Sequence, residues 1–193
     1  MNYTPSRLLV AAAGVVLCAS CGPQLTTTTV PMSSKGSVVS KSDGSVAGTI
    51  HAQVNDYRSA VGRTALPRHA GLDKMAREHS EYMLQNRNKA RVDGTTGLTH
   101  FGFEERSLKA QRVMSMAEVG ENIATCHGQG KNAAGVMVNA WKNSSGHVEN
   151  MRAKWSVTGI GVAVAPDGTV FATQLFANED LSHMTMSRQM RQF

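Results

Sequence analysis

Two imidazoles and a carboxylate set the chemical question in this chain. His100 sits in GLTHFGF (97–103), Glu121 in AEVGENIA (117–124) and His147 in AWKNSSGHVENM (140–151). Each stands at an interruption in the pattern. His100 lies in an apolar loop between glycines, Glu121 runs straight into Ile123 and Ala124, and His147 follows the stop Ser144-Ser145-Gly146 behind a Trp-bearing helix. Loops held by a rigid scaffold are where sites are built, and a carboxylate entering a buried strand needs a partner. Were the fold to bring them together, which spacing along the chain does not show, two neutral imidazoles and a carboxylate would suit a zinc-like divalent cation with a position left for water. A hydrogen-bonded triad, with Glu121 pairing an imidazolium, uses the same three groups. The sequence has no HExxH pair on one helix face, so residues 100, 121 and 147 converge only through the fold.

Other candidates are weaker. Ser144 and Ser145 beside His147 offer a nucleophile and a base, but no oxyanion hole or orienting acid accompanies them. Cys126, followed by His127, reads as a buried structural cysteine rather than a reactive or metal-binding thiol. His79 falls on the apolar side of a helix and reads as a core histidine bonded to a backbone carbonyl. His51, His69 and His183 read as solvated.

The elements that position these groups follow from periodicity. In GTIHAQVNDYRSAVG, Ile50, Val54, Tyr57 and Val61 recur every three or four residues, one helix face, with Gly62 as the stop. A second helix is expected over 71–86 with Leu72, Met75, Ala76, His79 and Met83 inward. A third is expected in KNAAGVMVNAWKNS, using Val136 or Met137 with Ala140 and Trp141. Residues 155–177 read as a hairpin turning at Pro166-Asp167-Gly168. Its strands carry no charge on either face, and Gly159 and Gly161 leave one face nearly smooth. Such a sheet must be covered on both sides, which predicts an α+β fold: a three-layer α-β-α sandwich around a mainly antiparallel sheet, with one helix close to the glycines.

The amino terminus predicts export. Arg7 precedes the thirteen-residue apolar run 8–20, too short for the ~30 Å bilayer core, so it reads as a cleaved signal. The run ends in CASCG and resembles a bacterial lipoprotein signal, with Cys21 as the lipidated residue and Cys18 where that motif usually has Leu. The expected organisation is a signal at 1–20, a Ser/Thr/Gly-rich tether at 21–45 reaching about 25 to 30 Å, a domain at 46–178 and a polar tail at 179–193. Simple secretion is the alternative to a lipid anchor. Once Cys18 leaves with the signal and Cys21 carries lipid, Cys126 has no partner for an intrachain disulfide.

Net charge is +6, and Lys and Arg are scattered while only 5% of residues are aromatic. That excludes a base-reading nucleic-acid module and suits an anionic surface. Loss of residues 1–20 removes Arg7 alone, leaving the mature chain at +5.

Taken in order, NDYRSAVG, LTHF, GENIA, Trp141, SSGHVENM and TGIGVAVAPDGTVFATQLFA resemble the CAP superfamily (cysteine-rich secretory protein, antigen 5, pathogenesis-related 1; the SCP domain), closest to its short bacterial members, over residues 46–178. The resemblance implies an α-β-α sandwich. It also implies a cleft with two His and two Glu that binds a divalent cation in some members. Carried over, these fall on His100, Glu121 and His147, with Ser144 standing at the second Glu position, and Ser144, Ser145, Trp141 and Asn122 are expected to line the cleft. Many members act without demonstrated catalysis. The expected function is therefore an exported binding module, attached to the membrane through Cys21. It would bind a divalent cation, a small apolar ligand or an anionic envelope component. A metal-assisted hydrolase and a structural envelope module are the alternatives.

Overall fold

A computed structural model describes residues 44–88, 97–180 and 182. The signal sequence, Cys21, most of the tether, His183 and nearly all of the tail lie outside the described residues. Among the described residues, five helices and three strands follow one another as α1 (Gly44–Ala60), α2 (Ala70–Gln85), α3 (Phe103–Met114), β1 (Met116–His127), α4 (Ala133–Lys142), α5 (Ser145–Arg152), β2 (Val157–Val164) and β3 (Thr169–Glu179). A single 3-10 turn, Gly130–Asn132, leads into α4. Helix α1 begins two residues inside the expected tether.

The sheet is antiparallel with order β1-β3-β2. Its hairpin turns at Gly168, whose φ of 84 fits the left-handed region that glycine tolerates. Side chains on the central strand alternate as expected. Val170, Ala172 and Phe176 join Ile160 and Val162 against α1, α4 and α5, while Phe171 and Leu175 face α2 and its neighbours. Both faces are thus covered, giving the three layers.

Helix α2 buries Leu72, Met75, Ala76, His79 and Met83, with Ser80 and Leu84 added. It lies on the smooth face of β2 so closely that a Cβ on Gly161 would sit 1.9 Å from the Arg77 amide nitrogen, and one on Gly159 would sit 2.3 Å from Leu72. These obstacles include backbone, so a side-chain rotation cannot relieve the clash. The approach also lets Ser80 Oγ donate to the Gly161 carbonyl at 3.0 Å.

Two expectations are corrected on α1 and α4. Ile50 and Val54 are fully buried, but Val61 is exposed and the fourth inward position belongs to Arg58, which is 1% exposed. On α4 the buried stripe is Ala133, Ala134, Met137, Val138 and Trp141, while Val136 and Ala140 are only half-buried. Helix α3, absent from the sequence reading, lies over β1.

Both sheet edges are closed by side chains or loop backbone, which removes a template for strand addition. Beyond β2, Thr158 exchanges backbone hydrogen bonds with Pro67 and His69, and Asp73 Oδ1 accepts from the Ile160 amide at 2.8 Å. His69, expected to be solvated, caps α2 by accepting from the Leu72 amide. His51, also expected to be solvated, is half-buried with Nε2 2.7 Å from the Leu66 carbonyl oxygen.

Glycine substitutions separate packing from propensity. Gly161→Ala is expected to cost about 3 kcal/mol, at the upper end of overpacking effects. Gly135→Ala in α4 places its Cβ no closer than 3.8 Å to Gln53 and should gain about 0.5 to 1 kcal/mol. Urea denaturation of the two variants checks the opposite signs.

Candidate functional site

Strand β1 is the wall on which the site is built. Its alternation sends Glu121 toward α2 and α3, with Val119 and Ile123, and sends Asn122 toward α5, with Gly120 and Ala124. Being on an edge strand, both residues are reached by loops and helices rather than by another strand.

On the first side, the Glu121 side chain is 1% exposed. His100 Nδ1 lies 2.8 Å from Glu121 Oε1. The other partner was not foreseen from sequence. Arg106 on α3 donates Nε–H to Glu121 Oε2 at 2.9 Å and Nη2–H to Oε1 at 2.8 Å, a two-pronged grip on both carboxylate oxygens. A carboxylate accepts, so His100 donates to Glu121 through Nδ1–H.

Arg106 also fixes the loop that bears His100. Its Nη1 donates to the Phe101 carbonyl at 2.8 Å, and the turn closes through the Phe103 amide on the His100 carbonyl. Gly102, at φ 75, makes that turn into α3. His79 holds the preceding residue, its Nε2 2.8 Å from the Thr99 carbonyl oxygen, which is the core-histidine role expected for it. The same nitrogen is 3.9 Å from Glu121 Oε1. Burial pushes the His79 imidazole down to about 4, outweighing the pull of Glu121 in the other direction.

A signal for Arg106 was present in the sequence. Phe103, Arg106, Ala110 and Met114 recur at helical spacing, and Ala110 is fully buried. A cation on that stripe must meet an anion, but Glu104 and Glu105 beside it give the segment the look of a solvated face.

On the second side, His147 is in the first turn of α5 rather than in a loop beyond a helix stop. Chain direction changes between Asn143, which ends α4, and Ser144, which precedes α5 in extended backbone. The Asn122 side chain donates to the His147 carbonyl at 3.2 Å. Asn150 donates to the Glu121 carbonyl and to Asn122 Oδ1, and Trp155 Nε1 donates to the Asn150 carbonyl at 2.7 Å. Trp141 Nε1 donates to the Ile123 carbonyl at 2.9 Å, and its ring lies 6.5 Å from that of His147. Buried Arg58 then ties the far end of α5, donating to the carbonyls of Met151 and Ala153.

His147 Nδ1 is buried without a hydrogen-bond partner. Desolvation, followed by repulsion from His100, lowers the proton affinity of this ring. The fold therefore pairs His100 directly with Glu121 and brings His147 within electrostatic reach of His100 from the opposite layer. Ser144 is half-buried and Ser145 exposed, and neither hydroxyl bonds His147 Nδ1. Trp141 and Asn122 are wholly buried and expose no surface to a ligand. Cys126 is half-buried, and burial raises its thiol above the ordinary value, away from reactivity.

Both oxygens of the carboxylate in the expected three-ligand cation site hold the Arg106 guanidinium. Among the described residues, no three His, Cys, Asp or Glu side chains are grouped so as to hold a metal ion. A separate hollow of about 680 Å³, lined by Val46, Lys131, Val164 and Val170 among others, opens near the β2–β3 turn.

Fold and site together define an α-β-α module with a buried Glu on an edge strand and histidines approaching from both layers. The chain belongs to the cysteine-rich secretory protein family, CAP, whose family model matches residues 51–176. Its structure is similar to that of an outer surface protein from Borrelia burgdorferi, at 18% identity and a TM-score of 0.57, over 73% of this chain and 98% of that one. It is also similar to a cysteine-rich secretory protein from Staphylococcus aureus subsp. aureus Mu50, at 15% identity and a TM-score of 0.49, over 69% and 38%. No curated protein matches the sequence.

Two measurements probe the site. Arg106→Met leaves an uncompensated buried carboxylate and should cost about 3 to 5 kcal/mol, with much of the loss recovered in Arg106→Met/Glu121→Gln; chemical denaturation of both variants checks this. His79 has a folded value below its unfolded one, so the unfolded state takes up the proton first. Its contribution is complete above pH 6.5 and is lost as pH falls toward 4, at up to about 1.4 kcal/mol per pH unit. Denaturation curves of His79→Gln across that window should be flatter.

Proposed function

We propose that this chain is an exported CAP-family binding module, lipid-anchored at Cys21, that meets an anionic envelope surface without catalysing a reaction. The observation that carries this reading is the outer surface of the α2–α3 layer. Of the five exposed large hydrophobic residues among the described residues, Tyr82, Phe101, Leu108 and Val113 belong to this layer and its loop. Exposed Lys109 and Arg112 stand among the last two on α3. Apolar side chains interspersed with cations are the composition of a helix face that rests on anionic headgroups, and the chain's charge of +6 has the matching sign. Export agrees with the signal-like amino terminus and with the outer-surface description of the Borrelia burgdorferi protein.

Catalysis is less well supported. Glu121, the carboxylate a metal-assisted hydrolase would use, has both oxygens in the grip of Arg106, and a base so held is not free to take a proton. A small apolar ligand remains the second reading, favoured by Val46, Val164 and Val170 in the hollow near the β2–β3 turn.

The full chain with Cys21→Ser, which cannot carry an acyl group, is expected to sediment with phosphatidylglycerol vesicles and not with phosphatidylcholine vesicles. Binding should weaken as salt rises and fall in Leu108→Glu/Val113→Glu. Equal recovery with both lipids, or no effect of the double substitution, would sink the proposal.

A further inference from the structure

The cation that Glu121 needs is built into the chain. We infer that Arg106 is the resident counter-cation of this cleft, occupying the place on Glu121 that a divalent metal would require, and that it is the residue which keeps the site free of metal. This inference is independent of the surface on which the module works.

Three observations carry it. Arg106 contacts both carboxylate oxygens, at 2.9 Å through Nε and at 2.8 and 2.7 Å through Nη2, so no oxygen of Glu121 is left without a cation. Its side chain is 13% exposed against 1% for Glu121, so the pair is shielded from water and a dissolved ion cannot exchange with it as at an open surface. The guanidinium is further locked by Nη1 on the Phe101 carbonyl and by the turn at Gly102, where a Cβ would come within 3.2 Å of Nη1. A mobile lysine could step aside for an ion; a fork fixed at three points cannot do so without unmaking the His100 loop.

His100 Nδ1 lies 2.8 Å and His79 Nε2 3.9 Å from the same oxygen of Glu121. As they stand, these nitrogens donate to Glu121 and to the Thr99 carbonyl and offer no lone pair to an ion. With Arg106 gone, the His100 ring would have to move its proton to Nε2 to join Glu121 as a ligand to a zinc-like ion. Neutral imidazoles on a buried carboxylate would otherwise leave that charge uncompensated.

The test uses Co²⁺ absorption and Zn²⁺-dependent melting of the purified full chain. The parent protein is expected to show no Co²⁺ ligand-field band and no change in Tm with Zn²⁺. Arg106→Ala, destabilised by its unpaired carboxylate, should show a Co²⁺ ligand-field band that the parent lacks and regain Tm when Zn²⁺ is added. Both gains should vanish in Arg106→Ala/Glu121→Gln. Should Arg106→Ala not fold, the Arg106 Nε–H resonance of the parent gives a second reading: it stays at one shift through a Zn²⁺ titration if the guanidinium holds Glu121. Parent and Arg106→Ala binding Co²⁺ equally, a folded Arg106→Ala that takes up none, or a Zn²⁺-dependent shift of the Arg106 signal would each overturn the inference.

Discussion

A carboxylate withdrawn from water must find positive charge or donors at once, and most of this site follows from that requirement at Glu121. Strand β1 carries it inward. Helix α3 then has to present Arg106 to it, which fixes the rotation of α3 over the sheet. The same arginine clamps the Phe101 carbonyl, and the loop so formed delivers His100 to the remaining lone-pair space on Oε1. His79 closes the arrangement from α2 by fixing Thr99. One buried charge thus links two helices, a loop and a strand, and replacing any single partner leaves the others imperfectly satisfied.

The opposite layer is governed by a different need, that of exposed backbone on an edge strand. Asn150 and Trp141 donate to the Glu121 and Ile123 carbonyls, two residues apart on β1. This spacing is what a strand offers on its unpaired side. These side chains do for β1 what Pro67, His69 and Asp73 do for β2. Arg58 then secures α5 by donating to carbonyls at its carboxyl end, where a cation also complements the helix dipole. His147 is therefore placed by the demands of sheet closure, and its closeness to His100 is a consequence of both residues approaching the same strand edge.

Family membership fixes the architecture and leaves the working surface to be argued from side chains. In this chain the cleft chemistry turns inward, with its carboxylate spent on an arginine, while apolar and basic side chains face out from the same layer. The proposed adhesion to a surface rests on that distribution. Ser144, where the resemblance places the family's second carboxylate, precedes α5.

The sequence by itself determined the layered fold, because its signals are local or compositional. A charge-free hairpin around Pro166-Asp167-Gly168 must be covered on both faces, and Gly159 and Gly161 specify where a helix comes close. Helix periodicity correctly marked the buried face of α2, His79 included, and single residues at breaks in pattern pointed to His100, Glu121 and His147. Local reading failed where a residue's role depends on a partner far along the chain. Arg58 and Arg106 look like ordinary surface cations on their helices, yet one meets carbonyls 93 and 95 residues away and the other a carboxylate 15 residues on. His147 was singled out at a break in the pattern but not as helical, since Ser144, Ser145 and Gly146 signal a stop and do not announce the turn that follows. Only the tertiary structure decided which cation Glu121 receives, because charge compensation depends on distance through the folded core, and spacing along the chain does not encode that distance.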